Sequence, residues 1–247
     1  HLPLRRAMIP FGPWLRIHTR LSWGGLADLH LLDDRQYRSP QPCPKPGRAG
    51  SAMIENCAAR LDPAATLLGA RQERWLEAGL AASQARWNVL GQQTLMAQAD
   101  ARRGPGEMYY SDGWDGYPAA RRRLLAWLDE RKPANPVVIG GDVHSYWVCD
   151  LKPDFDDPRS PVVASEFVST SISSLPPPED RIRIALEEEP HIRYATGERR
   201  GYVRFEITPR RLTADLRAIG DARDRATGIE TLKTFVVEDG RPGPQPA

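Results

Sequence analysis

An aspartate and a histidine two residues apart, Asp142 and His144, follow a short apolar run and a glycine pair in "VVIGGDVH" (residues 137–144). The β-branched residues at 137–139 predict a buried strand. The polar pair therefore lies at the carboxyl end of a strand, where open α/β sheets carry their sites. We expect the glycines at 140 and 141 to let the chain leave the sheet in a backbone conformation that residues with a Cβ avoid.

The pair predicts a partial metal site, because side chains two residues apart in an extended chain point to the same side. A carboxylate and an imidazole that converge on one ion suit iron, zinc or manganese, and the carboxylate can also reach a hard ion such as calcium. The alternative is a polar turn, with Asp142 hydrogen-bonded to its own backbone and His144 as an ordinary loop histidine. The pattern alone leaves both interpretations open.

Two other polar stretches could line a pocket. The loop "YYSDGWDGYP" (109–118) supplies Asp112, Asp115 and Tyr117 among aromatic residues, although a surface turn rich in Asp and Gly has the same composition. The hydroxyl-rich segment "EFVSTSISS" (166–174) could orient a phosphate, and a β-edge with Ser and Thr is its structural alternative.

The remaining sequence offers no stronger catalytic signal. His18, His30 and His191 stand apart from one another, and we expect them to be structural or solvated. The sequence contains no GxSxG elbow, no P-loop and no HExxH motif.

Three cysteines indicate a disulfide with one thiol left over. Cys43 and Cys57 flank a loop rich in Pro, Gly, Lys and Arg, which suits a disulfide and hence an oxidising compartment, whereas Cys149 lies in a predicted strand. Two unpaired loop thiols are the alternative. Zinc is less favoured because the C-x-x-C spacing is absent.

Composition indicates one large globular domain. The chain has 247 residues, of which 40% are hydrophobic and 27% charged, with a net charge of +2. The densest basic cluster, at 121–123, is interleaved with apolar residues at helical spacing, which favours the solvated face of a helix over a nucleic-acid-binding stripe. No apolar run approaches the roughly 20 residues that span a bilayer. We assign residues 1–243 to the domain and 244–247 to a tail.

Periodicity predicts helices alternating with strands early in the chain and a nearly all-β end. The proline-rich segment 241–247 is expected to be frayed. The predicted elements are two strands within 14–37 joined at the glycines 24 and 25, a long loop at 39–66 with a short polar helix at most, a helix at 71–84, a strand at 86–93, a loop at 99–117, a helix at 117–132, strands at 137–139, 145–151 and 162–170, a helix at 179–190, a hairpin at 201–219 that turns at 208 and 209, and a strand at 231–240.

Several of these stretches, in this order, resemble the PhoD-like (alkaline phosphatase D) metallophosphatase family, from about residue 1 to about residue 243. The stretches that carry the resemblance are "LDDRQYRS" with "QPC" close behind, "RQERWLEAGLAAS", "WNVLGQQ", "WDGYPAARRRLLAWL", "VVIGGDVHS", "EFVSTSISS" and "RRGYVRFEITPRRLTADLR". "DDR" stands where D-T-R is usual in the family.

The resemblance implies an α/β (α+β) fold of the metallophosphoesterase αββα type, of which this chain is the C-terminal part, with a mixed sheet and flanking helices. It implies hydrolysis of phosphate monoesters and diesters at an iron and calcium centre, with Asp142 as a calcium ligand and His144 as an iron ligand. It also implies a periplasmic or secreted location.

The family's other ligands belong to an N-terminal half: an early Cys or Asp, a G-D-x-x-x-Y block and a G-N-H-[DE] motif. We identify none of these N-terminal ligands here: the sequence has no G-N-H-[DE] motif, and its G-D-x-x-x-Y string, at 141–146, is the segment that carries Asp142 and His144. We therefore expect the missing N-terminal half of the same polypeptide to be a partner of this chain, and the chain alone to be inactive. Two alternatives remain: a non-catalytic β-rich binding module, and a phospholipase-like phosphodiesterase of the same fold.

Overall fold

The computed structural model describes residues 15–47 and 50–247 of the chain. The helices are α1 (Ala70–Ala82), α2 (Pro118–Arg131) and α3 (Glu179–Glu188), with short 3₁₀ turns at Ala58–Leu61 and Trp114–Gly116. The strands, in chain order, are β1 (Thr19–Trp23), β2 (Ala27–Leu31), β3 (Met53–Glu55), β4 (Trp87–Gly91), β5 (Met108–Tyr110), β6 (Pro136–Gly140), β7 (Tyr146–Leu151), β8 (Ala164–Val168), β9 (Ile192–Thr196), β10 (Arg200–Ile207), β11 (Arg211–Ile219), β12 (Ile229–Glu238) and β13 (Arg241–Pro246).

The larger sheet is mixed and has the strand order β1-β2-β4-β6-β8-β7-β9. Its central strands β2, β4, β6 and β8 are parallel, whereas β1, β7 and β9 are antiparallel to their neighbours. All residues of β7 and β8 are buried, as expected for strands that are covered on both faces. Because parallel strands end on the same side, the loops that follow β2, β4, β6 and β8 meet at one edge.

The smaller sheet is antiparallel, in the order β10-β11-β12-β13, and packs against one face of the larger sheet. The core between the sheets includes Trp87 and Phe167 of the larger sheet and Leu212, Leu216 and Phe235 of the smaller one. The hairpin β10-β11 pairs Ile207 with Leu212 beside its turn, which confirms the predicted hairpin.

The helices cover the other face of the larger sheet. Leu76 and Leu80 of α1, Leu125 and Leu128 of α2 and Ile182 of α3 belong to one apolar core with that face. α2 begins at Pro118, where the missing N–H costs nothing because the first turn has no acceptor for it. The described residues thus form a helix layer and two sheets, which confirms the expected mixed α/β class.

The long loops contain a small sheet that periodicity did not predict. β3 and β5 pair antiparallel, with Ile54 opposite Tyr109, and both side chains are buried with Cys57. Three residues are too few to show a period, so neither strand has a local signature. Cys43 and Cys57 form a disulfide with a Cα separation of 6.2 Å, while Cys149 is a buried free thiol.

The predicted fraying of the C-terminal segment is wrong. Residues 241–246 form β13, an edge strand of the smaller sheet in which Val236 lies opposite Gln245. Prolines are tolerated at a sheet edge because no further strand needs their missing N–H. The Gly243 N–H donates to Ser165 Oγ at 2.9 Å, which ties the strand to the larger sheet.

Within the described ranges, no helix combines the length and the apolarity that crossing a bilayer requires.

Candidate functional site

Polar residues gather at the carboxyl edge of the parallel strands. Asp33, Asp34 and Arg35 follow β2 after a single leucine, Gln92 and Gln93 follow β4, Asp142 and His144 follow β6, and Ser169 and Thr170 follow β8. The sheet topology alone brings these four loops together. Such an edge is where α/β sheets place ligand-binding residues.

Asp142 and His144 both line one cleft of about 470 Å³ that opens at this edge. The chain there is not extended, since Asp142 has φ 65° and His144 has φ 57°. The argument from extended-strand alternation is therefore wrong for this pair, and both residues line the cleft from a bend in left-handed backbone instead. Non-glycine residues in this conformation are uncommon and concentrate at functional sites.

The glycine pair serves a different purpose from the one expected. Neither Gly140 nor Gly141 has a positive φ. A Cβ on Gly140 would overlap the Thr94 carbonyl oxygen and lie 2.8 Å from Gln92 Nε2, whereas nothing approaches Gly141 closer than 4.0 Å. Gly140 is thus required by the close approach of the loop after β4.

The imidazole of His144 is held in one orientation. Its Nδ1 lies 2.9 Å from the Leu175 carbonyl oxygen, which can only accept, so Nδ1 carries the proton and Nε2 remains as the acceptor atom. The His144 carbonyl oxygen accepts hydrogen bonds from Thr170 Oγ1 and an Arg200 guanidinium nitrogen, both at 3.2 Å. The bend is therefore fixed from the loop after β8 and from β10.

A guanidinium joins two carboxylates beside His144. Arg35 donates to Asp142 at 2.8 Å and to Asp112 at 2.6 Å, and Arg38 donates to Asp112 at 2.9 Å. Burial opposes ionisation of Asp112, but the hydrogen bonds from Arg35 and Arg38 outweigh it and lower the pKa of that carboxyl group. Asp112 is therefore an anion that anchors two arginines.

The structure separates the other predicted pocket residues. Asp112 and Asp115 line the cleft, and Asp115 is neutralised by a buried ion pair with Arg121 at 2.5 Å. Tyr117 does not line the cleft, because it is fully buried and donates its hydroxyl to the Ser39 carbonyl oxygen at 2.7 Å. Its place at the start of α2 turns the ring into the core.

The hydroxyl-rich segment supports the bend. Besides the Thr170 contact with His144, Ser171 Oγ accepts from Arg200 at 2.8 Å and donates to the Ser174 carbonyl oxygen at 2.7 Å. His18, His30 and His191 are buried and do not line the cleft, in line with the structural role expected for them.

The donors present fit part of a metal shell. Asp142 offers a carboxylate, and His144 offers Nε2 with its other ring nitrogen bonded to a carbonyl, the arrangement typical of histidine ligands. The part of the chain that the structure describes contains no group of three or more His, Cys, Asp or Glu residues that could hold a metal. Two donors do not complete the four-coordinate shell that even a structural zinc site has.

Sequence reasoning missed the residues that orient the pair. Arg35 follows the strand β2 in "LDDRQYRS", and its position after a strand was the available signal. Nothing in the sequence indicated Leu175 or Arg200. Leu175 acts through its backbone carbonyl, and Arg200 contacts a residue 56 positions away in the chain.

Comparisons with known proteins place the chain among phosphatases. A family model described as "PhoD-like phosphatase" matches residues 1–216. "Alkaline phosphatase D" from Bacillus subtilis (strain 168) is 36% identical over 246 residues, which is 98% of this chain and 41% of that protein. The solved "Structure of PhoD" matches with a TM-score of 0.88 and 35% identity, over 100% of this chain and 47% of the other. The chain thus spans less than half the length of these relatives.

Proposed function

The chain belongs to the PhoD-like phosphatase family, and on that premise we propose that it forms the C-terminal part of an enzyme that hydrolyses phosphate monoesters and diesters at a metal centre. Asp142 is proposed as a calcium ligand and His144 as an iron ligand. The observation that carries the proposal is the bend after β6, where Asp142 and His144 line one cleft and the bond from His144 Nδ1 to the Leu175 carbonyl leaves Nε2 as the acceptor atom.

The metals, when bound, would lower the pKa of a water molecule and offset charge on the phosphoryl oxygens. The chain's own residues would hold and orient the reactants. Asp142 and His144 would bind the metals, and Leu175 would keep the imidazole in its binding tautomer. Arg35 donates one nitrogen to Asp142 and the other to Asp112, and its fork of N–H donors could also bind a phosphoryl group.

We propose that the remaining ligands come from an N-terminal half of the same polypeptide. Two observations support this: the chain covers 41% of its curated relative, and the described residues supply only a partial donor set. The carboxyl edge would then lie between the two halves.

A periplasmic or secreted location is part of the proposal. The disulfide between Cys43 and Cys57 supports it, because such bonds persist in oxidising compartments and are rare in reducing ones.

Substitution of the two ligands tests the function in the full-length protein. We expect Asp142→Asn and His144→Ala to lower bound calcium and bound iron respectively, measured by elemental analysis, and to reduce turnover of p-nitrophenyl phosphate and bis(p-nitrophenyl) phosphate by about 100-fold or more. Asp224→Asn, which replaces an exposed carboxylate far from the cleft, is the matched control and should change neither quantity. Unchanged metal content in both ligand variants would refute the assignment.

A further inference from the structure

We propose that the cleft beside His144 binds the apolar alcohol portion of the ester substrate, an aromatic ring or a short alkyl chain, while the phosphoryl group lies at Asp142, His144 and Arg35. This inference rests on the proposed function and adds a substrate class to it. The cleft volume of about 470 Å³ lies within the range of small-ligand pockets, roughly 300–1,000 Å³.

The walls of the cleft are largely apolar. They are formed by strand, loop and α3 residues that include Leu95, Trp114, Val143, Trp147, Ile182 and Ala185. Trp114 and Trp147 are only 1% and 5% exposed, so the apolar surface offered to a ligand lies mainly on the more exposed lining residues Leu175 and Tyr110.

One charge in the cleft is already paired: Asp115 is 7% exposed and forms an ion pair with Arg121, which is itself 3% exposed. Arg181 of α3 also lines the cleft. Burying a polar group without a hydrogen-bond partner costs free energy, so the apolar part of the lining favours an apolar portion of the ligand.

The mouth of the cleft connects the apolar surface to the proposed reaction centre. Leu175 is the most exposed large apolar side chain among the described residues, at 84%, and its carbonyl oxygen accepts the hydrogen bond from His144 Nδ1. Leu175 thus holds the imidazole through its backbone and lines the cleft with its side chain. Tyr110, 41% exposed, lines the same cleft. An ester bound with its phosphoryl group at His144 would cover these surfaces with its alcohol portion.

Non-hydrolysable probes test this by calorimetry on the full-length protein. We expect 1-naphthylmethylphosphonate to bind about tenfold or more tightly than methylphosphonate, because the ring buries apolar surface. Tyr110→Ser should weaken binding of the naphthyl probe about tenfold and leave methylphosphonate unchanged, because it removes an exposed ring from the cleft wall and not a residue that holds the proposed ligands. Ile172→Ser is the matched control, since Ile172 is 64% exposed but does not line the cleft; it should change neither.

Two other outcomes are distinguishable. Equal affinity for the two phosphonates, or equal effects of the two variants, would overturn the inference and leave the proposed phosphatase function intact. Binding of 1-naphthylmethanol as tightly as 1-naphthylmethylphosphonate would show that the phosphoryl position is not recognised, and would overturn both the proposed function and this assignment.

Discussion

At the scale of single residues, the site depends on a left-handed backbone conformation that residues with a Cβ rarely adopt. Asp142 and His144 both adopt left-handed φ values, each of which costs on the order of 1–3 kcal/mol for a residue other than glycine. The contacts from Thr170, Arg200 and Leu175 hold the bend and offset that cost. The strained backbone thus lowers the stability of the fold somewhat, and it fixes the orientation of the Asp142 and His144 side chains.

The cost at His144 can be measured by comparing two truncations. His144→Gly and His144→Ala remove the same imidazole, but only alanine keeps a Cβ in left-handed backbone. We expect the glycine variant to be more stable by about 1 kcal/mol, measured as the difference in free energy of unfolding in urea. A more stable alanine variant would show that the bend relaxes out of this conformation.

His191 should make the fold sensitive to acid. Burial lowers the pKa of this imidazole to about 4 from its ordinary value of 6.5, although Nε2 donates to the Gln98 carbonyl oxygen at 2.8 Å. As pH falls from 6.5 to 4 the unfolded chain takes up a proton that the folded chain refuses, so stability falls. The slope is at most about 1.4 kcal/mol per pH unit.

The variant His191→Gln should remove that slope. Denaturant unfolding at pH 7, 6 and 5 is the measurement, and the stability difference between wild type and variant should shrink as pH falls. The neighbouring Glu189, whose pKa burial raises to about 7, acts in the opposite direction because its ionisation destabilises the fold as pH rises. Parallel curves for the two proteins would contradict the assignment to His191.

At the scale of elements, the site is assembled by the ends of parallel strands. The bend follows β6, Arg35 follows β2 and Thr170 follows β8, so the ends of three strands hold one pair of donors. The loop after β4 approaches β6 closely. Gly140, the last residue of β6, therefore has no room for a Cβ.

The two adjacent glycines form a matched pair for testing this approach. Gly140→Ala should lower the free energy of unfolding by about 1–3 kcal/mol, because its Cβ would force the Thr94 carbonyl away. Gly141→Ala meets nothing closer than 4.0 Å and should stay within about 0.5 kcal/mol of wild type. Thermal unfolding of both variants is the measurement, and equal destabilisation would show that the contact does not decide the choice of glycine.

At the scale of the whole molecule, one edge of the smaller sheet lies open. Within the described residues β10 pairs only with β11, and a groove of about 480 Å³ separates it from the carboxyl ends of the parallel strands. Val203, Phe205 and Phe167 line this groove. The large sheet is covered on both faces, so this groove, and not an entire sheet face, offers uncovered apolar surface among the described residues.

The isolated chain should therefore be inactive and bind hydrophobic dyes. We expect negligible hydrolysis of p-nitrophenyl phosphate by residues 1–247, because under the proposed function the two ligands of this chain cannot assemble the metal centre alone. Dye fluorescence should fall in Val203→Lys, which points a charge into the groove, and not in Glu206→Lys on exposed β10 surface. Metal-dependent turnover by a folded preparation would instead place the chemistry at Asp112, Asp115 or residues 169–174.

Local patterns in the sequence were sufficient for α1, α2, the β10-β11 hairpin and the strand before Asp142, because each repeats burial at the period of one element. The ordered motifs were sufficient for the family. Contacts between distant segments were decided only in the tertiary structure: Arg35 meets Asp142 across 107 residues, and Leu175 holds His144 across 31. The order of strands in the sheet brings such pairs together. The periodicity of one element does not predict which strand will lie beside it. For the same reason the sequence of residues 241–247 predicts a frayed end, whereas pairing with β12 makes it a strand.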